Sequence, residues 1–205
     1  MALLYTPLLS EYKSYNVPHI AGCDEAGAGA VAGPVVAAAV ILPHGFYDQE
    51  LYNLKNLTVA SRIRIASLVK QYAVSWGIAT VCQQEIDKIG ITNASQLAIH
   101  TALNQLKIDP DLLLVSGRSF DPYKEIPYKC VLQGDRMYAA IAAANIIAKV
   151  HRDSCMEKLD KDFPAYGWRK NKGYSTPAHK QAIKVFGVTL HHRKSFHFHT
   201  DLADS

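Results

Sequence analysis

No apolar run in this 205-residue chain approaches the roughly 20 residues that a membrane-spanning helix needs. The N-terminal stretch MALLYTPLLSEYK carries no basic segment ahead of its short apolar part, so a secretory leader is not expected. Cysteine is scarce. Cys23, Cys82, Cys130 and Cys155 form no CxxC pair, which points to reduced thiols in a cytoplasmic protein. No internal repeat and no low-complexity segment interrupts the chain. The one glycine-rich stretch, GAGAVAG, lacks GxGxxG spacing and follows two acids, so a dinucleotide enzyme finds no support.

What remains is an ordinary globular composition, 49% hydrophobic and 20% charged, long enough to bury a substantial core as one domain. The net charge of +4 is unevenly placed. From Lys161 to Ser205 eight Lys and Arg face three Asp, an excess of +5, and the rest of the chain sums to −1. Five of the nine histidines lie in the same segment. A basic end on a near-neutral body suits a phosphate-backbone partner, and equally suits a solvated face with no ligand. His191, His192, His197 and His199 have no nearby cysteine and fit no standard zinc spacing.

The most informative stretch is Ala21-Gly22-Cys23-Asp24-Glu25-Ala26-Gly27-Ala28-Gly29. A strand over His19–Cys23 ends in two adjacent carboxylates and a glycine-rich turn. Side chains alternate along a strand, so Asp24 and Glu25 face opposite ways if it stays regular. The following glycines permit a sharp bend that converges both on one cation and leaves bare N–H groups for a substrate. A solvated acidic turn is the plainer alternative.

Further along, Val35–Leu42 and Tyr72–Val81 read as strands, with a helix over Ala60–Lys70 between them. Thr92 or Asn93 caps another helix whose Ile99, Ala102, Leu103 and Leu106 share one face. Leu112–Val115 and Tyr128–Leu132 are short strands. A long alanine-rich helix runs from about Tyr138 to Asp160 and stops near Phe163-Pro164. A loop, a short helix around Ala178–Val185 and an irregular tail follow. Strands first, then strands alternating with helices, give a mixed-sheet α/β fold.

CDEAGAGAVAGPVVAAAVILP resembles the opening of bacterial ribonuclease HII, and LKNLT, EIDKIGITNAS, LLLVSG, LQGD, IAAANIIAKVHRD, FPAYGW, NKGYST and HHRKSF follow in that family's order. The resemblance spans about Ile20 to Phe196. It implies a ribonuclease H-like mixed sheet flanked by helices over residues 1–160, with a small basic helical extension over 161–205 packed on it as one structural unit. It also implies endonucleolytic hydrolysis, with two Mg²⁺ or Mn²⁺ ions, of the RNA strand of RNA–DNA hybrids or at ribonucleotides embedded in duplex DNA. The implied state is a monomer, with room for a protein partner and none for a membrane. Two divalent ions about 4 Å apart need several carboxylates. By resemblance the catalytic positions are Asp24, Glu25, Ser116 and Asp135, with Asp24, Glu25 and Asp135 as metal ligands. Asp153 in KVHRD matches a further acidic position, although pairing with Lys149 one turn back explains it as well. Substrate contacts map to Gly27, Ala28, Gly29, Lys55, Lys172, Tyr174 and Arg193.

The departures gather at those same positions. Ser116 stands where the family carries a metal-binding aspartate, and Asp121 or Asp153 is the nearest compensation the sequence offers. Ala28 replaces the arginine of a glycine–arginine–glycine turn whose backbone contacts the ribose 2′-OH. Asn53 and Leu54 flank Lys55 where aspartate and serine are usual. Gly117-Arg118 follows Ser116 in place of Gly-Asn, Gln133 replaces a lysine and Asn145 a serine. Two readings follow, a metal-dependent endonuclease with a weakened site and an inactive nucleic-acid-binding homologue that works alone or within a complex.

Overall fold

β-branched and alanine-rich runs build a five-stranded sheet in the order β3-β2-β1-β4-β5. The computed structural model describes residues 17–46, 48, 50–51 and 57–196. β1 (Ile20–Ala26), β2 (Val35–Ile41) and β3 (Ser75–Val81) are antiparallel neighbours, whereas β4 (Leu112–Ser116) and β5 (Tyr128–Val131) run parallel to β1. Every residue of β2 is buried, as its unbroken VVAAAVI requires of a strand covered on both faces.

Six helices cover and extend the sheet among the described residues: α1 (Val59–Tyr72), α2 (Gln83–Ile89), α3 (Ile91–Leu103), α4 (Ala139–Asp162), α5 (Trp168–Asn171) and α6 (Pro177–Phe186). On one face Ala21, Cys23, Ala37 and Ala39 pack with Ala98, Ala102 and Leu103 of α3. On the other, Val36, Ala38 and Val40 pack with Ala140, Ala143 and Ile147 of α4. α4 lies unusually close to β1. A Cβ on Gly22 would stand 2.1 Å from the Ala140 carbonyl carbon, so only glycine fits there.

The mixed α/β sheet is the architecture that the patterning implies, and several boundaries differ. β1 does not stop at Cys23; it pairs with β2 through Ala26, so Asp24 and Glu25 are strand residues opposite Ala38 and Ala37. β3 starts at Ser75, because Tyr72 belongs to α1 and the Ala73 N–H closes that helix on the Val69 carbonyl. The short helix α2 was not anticipated. It ends on Gly90, which opens α3 directly, so neither Thr92 nor Asn93 is the cap, and the Asn93 amide bonds back to the Ile89 carbonyl. Thr58 and Thr176 cap α1 and α6 through side-chain oxygens that accept the Ser61 and His179 N–H groups.

After Asp162 the chain folds over the end of α4. Trp168 is fully buried, stacks on Tyr166 at 5.1 Å and shares a cluster with Ala32, Met156, Ala182 and Ile183. All four cysteines are free thiols. Among the described residues no helix is long and apolar enough to cross a membrane.

Candidate active site

Three strands that run the same way end together. β1 delivers Asp24 and Glu25, β4 ends on Ser116 opposite Val131, and the turn after β5 carries Asp135. The bend expected to bring Asp24 and Glu25 to one side is absent, because β1 stays regular through both. Asp24 faces α4, whose Asn145 amide donates to its Oδ2 at 2.9 Å. Glu25 faces α3 and lines a cleft of about 230 Å³ with Ala28, Ile91, Thr92, Ser95, Ser116 and Arg118. Strand alternation puts the Ser116 side chain with Leu112 and Leu114, on the Asp24 side.

The electrostatics of this strand end are unbalanced. Asp24 is 6% exposed, and burial first, then the Glu25 charge and more weakly Asp135, push its carboxyl up to about 7. The Asn145 amide and the Glu25 N–H, which donates to Asp24 Oδ1 at 2.9 Å, hold it back only in part. Burial also raises Glu25. Among the described residues none of Asp24, Glu25 and Asp135 forms an ion pair. Oxygen donors with crowded negative charge suit a hard divalent cation. As the side chains stand, however, no three His, Cys, Asp or Glu groups among the described residues are disposed to grip one. The donor set fits an ion in type and charge.

The other acidic candidates lie elsewhere. Asp153 pairs with Lys149 at 3.3 Å and lines a separate groove of about 780 Å³ with Arg62, Glu157, Arg169 and Lys170. It is absent from the charges that perturb Asp24, as is Asp121, whose backbone engages Gln96 and His100.

A profile of the ribonuclease HII family matches residues 21–200. The chain belongs to the ribonuclease HII family. It is 52% identical over 177 residues to the ribonuclease HII of Christiangramia forsetii, covering 86% of this chain and 89% of that one. It is 49% identical over 189 residues to that of Porphyromonas gingivalis, covering 92% and 94%. Among solved structures, the ribonuclease H2 of Pyrococcus horikoshii superposes with a TM-score of 0.73 at 26% identity, over 88% of this chain and 94% of that one. Family and fold together support a ribonuclease H-type endonuclease.

In this member of the ribonuclease HII family the expected substrate contacts divide into three kinds. Gly27 is buried with φ +92°, Ala28 is half-buried and Gly29 is exposed with open space around it. The Ala28 and Gly29 N–H groups have no acceptor among the described residues. Tyr174 is 42% exposed beside the Arg152 guanidinium at 5.4 Å, and Lys172 pairs with Glu157 at 2.7 Å. Arg193 requires correction. It is fully buried and each of its three side-chain nitrogens donates to a backbone carbonyl, so it is not presented to a phosphate at the surface. Lys55 lies outside the described residues, as do Asn53, Leu54, His197 and His199.

Sequence reasoning missed Arg152, which is 2% exposed and donates to three carbonyls of the same region. A signal existed. Arg152 falls four residues after Ala148 and four before Met156, on the buried stripe of α4, where an arginine is rare unless something polar waits for it. Within the basic histidine-rich end most Lys and Arg are exposed or half-buried, as a surface reading expects, but Arg193 and two histidines are not. His179 and His192 are buried and bonded to one another at 3.2 Å.

Proposed function

We propose that the chain is a metal-dependent endonuclease for the RNA strand of RNA–DNA hybrids, or for ribonucleotides within duplex DNA, slowed by Ser116. One observation carries this reading. Asp24, Glu25 and Asp135 are carried to the same end of the sheet, and burial first, then the Glu25 charge and more weakly Asp135, push Asp24 up to about 7. Asp24, Glu25 and Asp135 are the residues that would hold Mg²⁺ or Mn²⁺, and a ribonuclease HIII of the same fold is solved in complex with Mn²⁺. Such an ion activates water and stabilises a leaving oxygen. The chain's own parts position the substrate. Asn145 fixes the Asp24 carboxylate, and the Ala28 and Gly29 N–H groups present donors to an approaching oxygen. The groove beside α4 offers Arg62, Arg169 and Lys170 to a phosphate backbone, alongside Asp153, Glu157 and Asp160.

Ser116 brings a neutral hydroxyl to a position that, by family resemblance, carries the fourth anion. Loss of a group that merely supports a metal ligand costs ~10–100-fold in affinity or activity. Loss of a ligand itself costs at least as much. The second reading, a nucleic-acid-binding homologue without useful catalysis, rests on the separation of Asp24 and Glu25 to opposite faces of β1. A related fold, an Archaeoglobus fulgidus ribonuclease HII, is solved in complex with PCNA, which makes a protein partner part of that reading.

The deciding experiment uses a duplex with one embedded ribonucleotide and Mg²⁺ or Mn²⁺. The expected result is that Ser116→Asp cleaves at least ~100-fold faster than the parent chain, and Ala28→Arg adds a smaller gain through substrate affinity. Equal rates for parent and Ser116→Asp, both well above background, would remove the impairment from this proposal. No cleavage by either, with tight duplex binding retained, would favour the binding homologue.

A further inference from the structure

Two arginines sit side by side beneath the Gly27–Gly29 turn, Arg152 at 2% and Arg193 at 0% exposure. Arg152 donates from Nε to the Pro34 carbonyl at 2.9 Å, from Nη1 to Lys172 at 2.8 Å and from Nη2 to Ala32 at 3.2 Å. Arg193 donates from Nε to Gly33 at 2.9 Å, from Nη1 to Ala28 at 2.9 Å and from Nη2 to Gly27 at 2.8 Å. Neither forms an ion pair among the described residues. A buried cation with no counter-ion is costly, and burial together with the neighbouring Arg152 pushes the Arg193 guanidinium down to about 10. A fold carries such a pair only where the dipoles that surround it are arranged for it.

Five of the six acceptors belong to the single loop 27–34. The loop is also tied by backbone pairs: Val31 and Ala32 N–H groups reach the Gly173 carbonyl, the Gly33 N–H reaches that of His191, the Ala30 N–H reaches that of Gly27, and the Val31 carbonyl accepts the Arg193 N–H. The loop's carbonyls therefore point inward at two positive charges. The N–H groups of Ala28 and Gly29 have no acceptor among the described residues; Ala28 lines the cleft with Glu25, and Gly29 is exposed. Gly27 closes the arrangement, since a Cβ there would stand 1.8 Å from Arg152 Nε. The planar guanidinium fork fixes donor directions that a lysine ammonium does not reproduce.

We infer that Arg152 and Arg193 are positioning residues that give the Gly27–Gly29 turn its selectivity for a ribose hydroxyl over deoxyribose. They do so by locking the loop's carbonyls inward and adding positive potential behind its free amides. The inference rests on the substrate reading above, and it assigns the turn's cationic character to buried side chains now that position 28 is alanine.

The test measures metal-free binding of the full chain to two duplexes, one all-DNA and one with a single ribonucleotide, for the parent, Arg193→Lys and Arg152→Lys. The parent is expected to prefer the ribonucleotide duplex. Each lysine variant is expected to lose ~10-fold of that preference, the worth of one charge-assisted hydrogen bond, while its all-DNA affinity changes by less than about twofold. A folded variant that keeps the full preference overturns the inference and leaves the substrate reading intact. A parent with no preference removes the substrate reading, and the inference with it. Should the variants not fold, ¹⁵N spectra of the parent decide the matter. The Arg152 and Arg193 Nε–H resonances are expected to shift on binding the ribonucleotide duplex and not the all-DNA duplex, and equal shifts with both overturn the inference.

Discussion

The strand-end acids and the histidine–arginine region beside them solve the burial of polar groups in opposite ways. Around Asp24 negative charges outnumber their partners, and the carboxyl is driven up to about 7. Around Trp168 the buried side-chain polar atoms of the described residues all have hydrogen-bond partners. His179 Nδ1 lies 2.9 Å from the Tyr174 carbonyl, which can only accept, so that nitrogen carries the proton. The one lone pair of His179 Nε2 then accepts from Trp168 Nε1 at 2.9 Å, with His192 Nε2 close by at 3.2 Å. His192 Nδ1 in turn accepts the Thr189 N–H at 2.9 Å. Both imidazoles are thereby held neutral. The first region holds buried charge without a matching cation, and the second closes on itself and fastens Arg193 under the glycine turn. Buried polar residues in one small protein thus divide by whether their hydrogen bonds are already complete.

The sharpest way to break this contrast is to empty the closed region. Trp168→Ala removes a fully buried indole, its bond to His179 and its stacking on Tyr166. The expected loss is ~3–5 kcal/mol of folding stability, read by urea unfolding monitored by circular dichroism. A loss below about 1 kcal/mol would mean that the cluster is incidental to the fold.

The two regions also differ in how far the sequence disclosed them. The DEAGAG stretch draws attention to its acids because adjacent carboxylates stand ahead of glycines, although a solvated acidic turn is the plainer fate of such a pair. What stayed hidden was strand length. Nothing local separates a strand that ends at Cys23 from one that pairs through Ala26, because the pairing partner is β2, and that pairing sends Asp24 and Glu25 to opposite faces. The long helix was legible from its alanine run, yet α2 was not, since its seven residues QQEIDKI bury only Gln83 and Ile86. The histidine-rich end misled for a physical reason. Basic residues are usually exposed, and only tertiary contact with loop 27–34 supplies the carbonyls that let Arg152 and Arg193 go inside.

A smaller effect of opposite sign tests the acidic side. Asp24→Asn removes the charge whose burial is penalised, so in metal-free buffer near pH 8 the variant is expected to be more stable than the parent. A shift from 3.8 to about 7 is worth several kcal/mol on paper. Asn keeps one acceptor oxygen where Asp24 serves both the Glu25 N–H and Asn145, so one hydrogen bond is lost. The net expectation is a gain of ~1–2 kcal/mol, measured as a higher Tm, together with loss of any metal-dependent stabilisation. A variant no more stable than the parent would show that Asp24 is not strained.

The smallest effect is a near-cancellation with pH. Asp24 is raised in the folded state, so its contribution is complete below the ordinary carboxylate range and is lost as pH climbs to about 7, and Glu25 is raised in the same sense. His192 is lowered to about 4 by burial and by the neighbouring His179, so its contribution is complete above the ordinary imidazole value and is lost as pH falls towards 4. His179 and His191 are lowered alike by burial. Between about pH 4.5 and 6.5 the two slopes oppose each other, and the parent's metal-free stability is expected to vary by less than ~1 kcal/mol across that window. Asp24→Asn leaves the histidine slope with only Glu25 against it, so the variant's Tm is expected to climb steadily over the same range. A profile for Asp24→Asn as flat as the parent's would mean that the strand-end acids and the histidine cluster do not hold opposite protonation preferences.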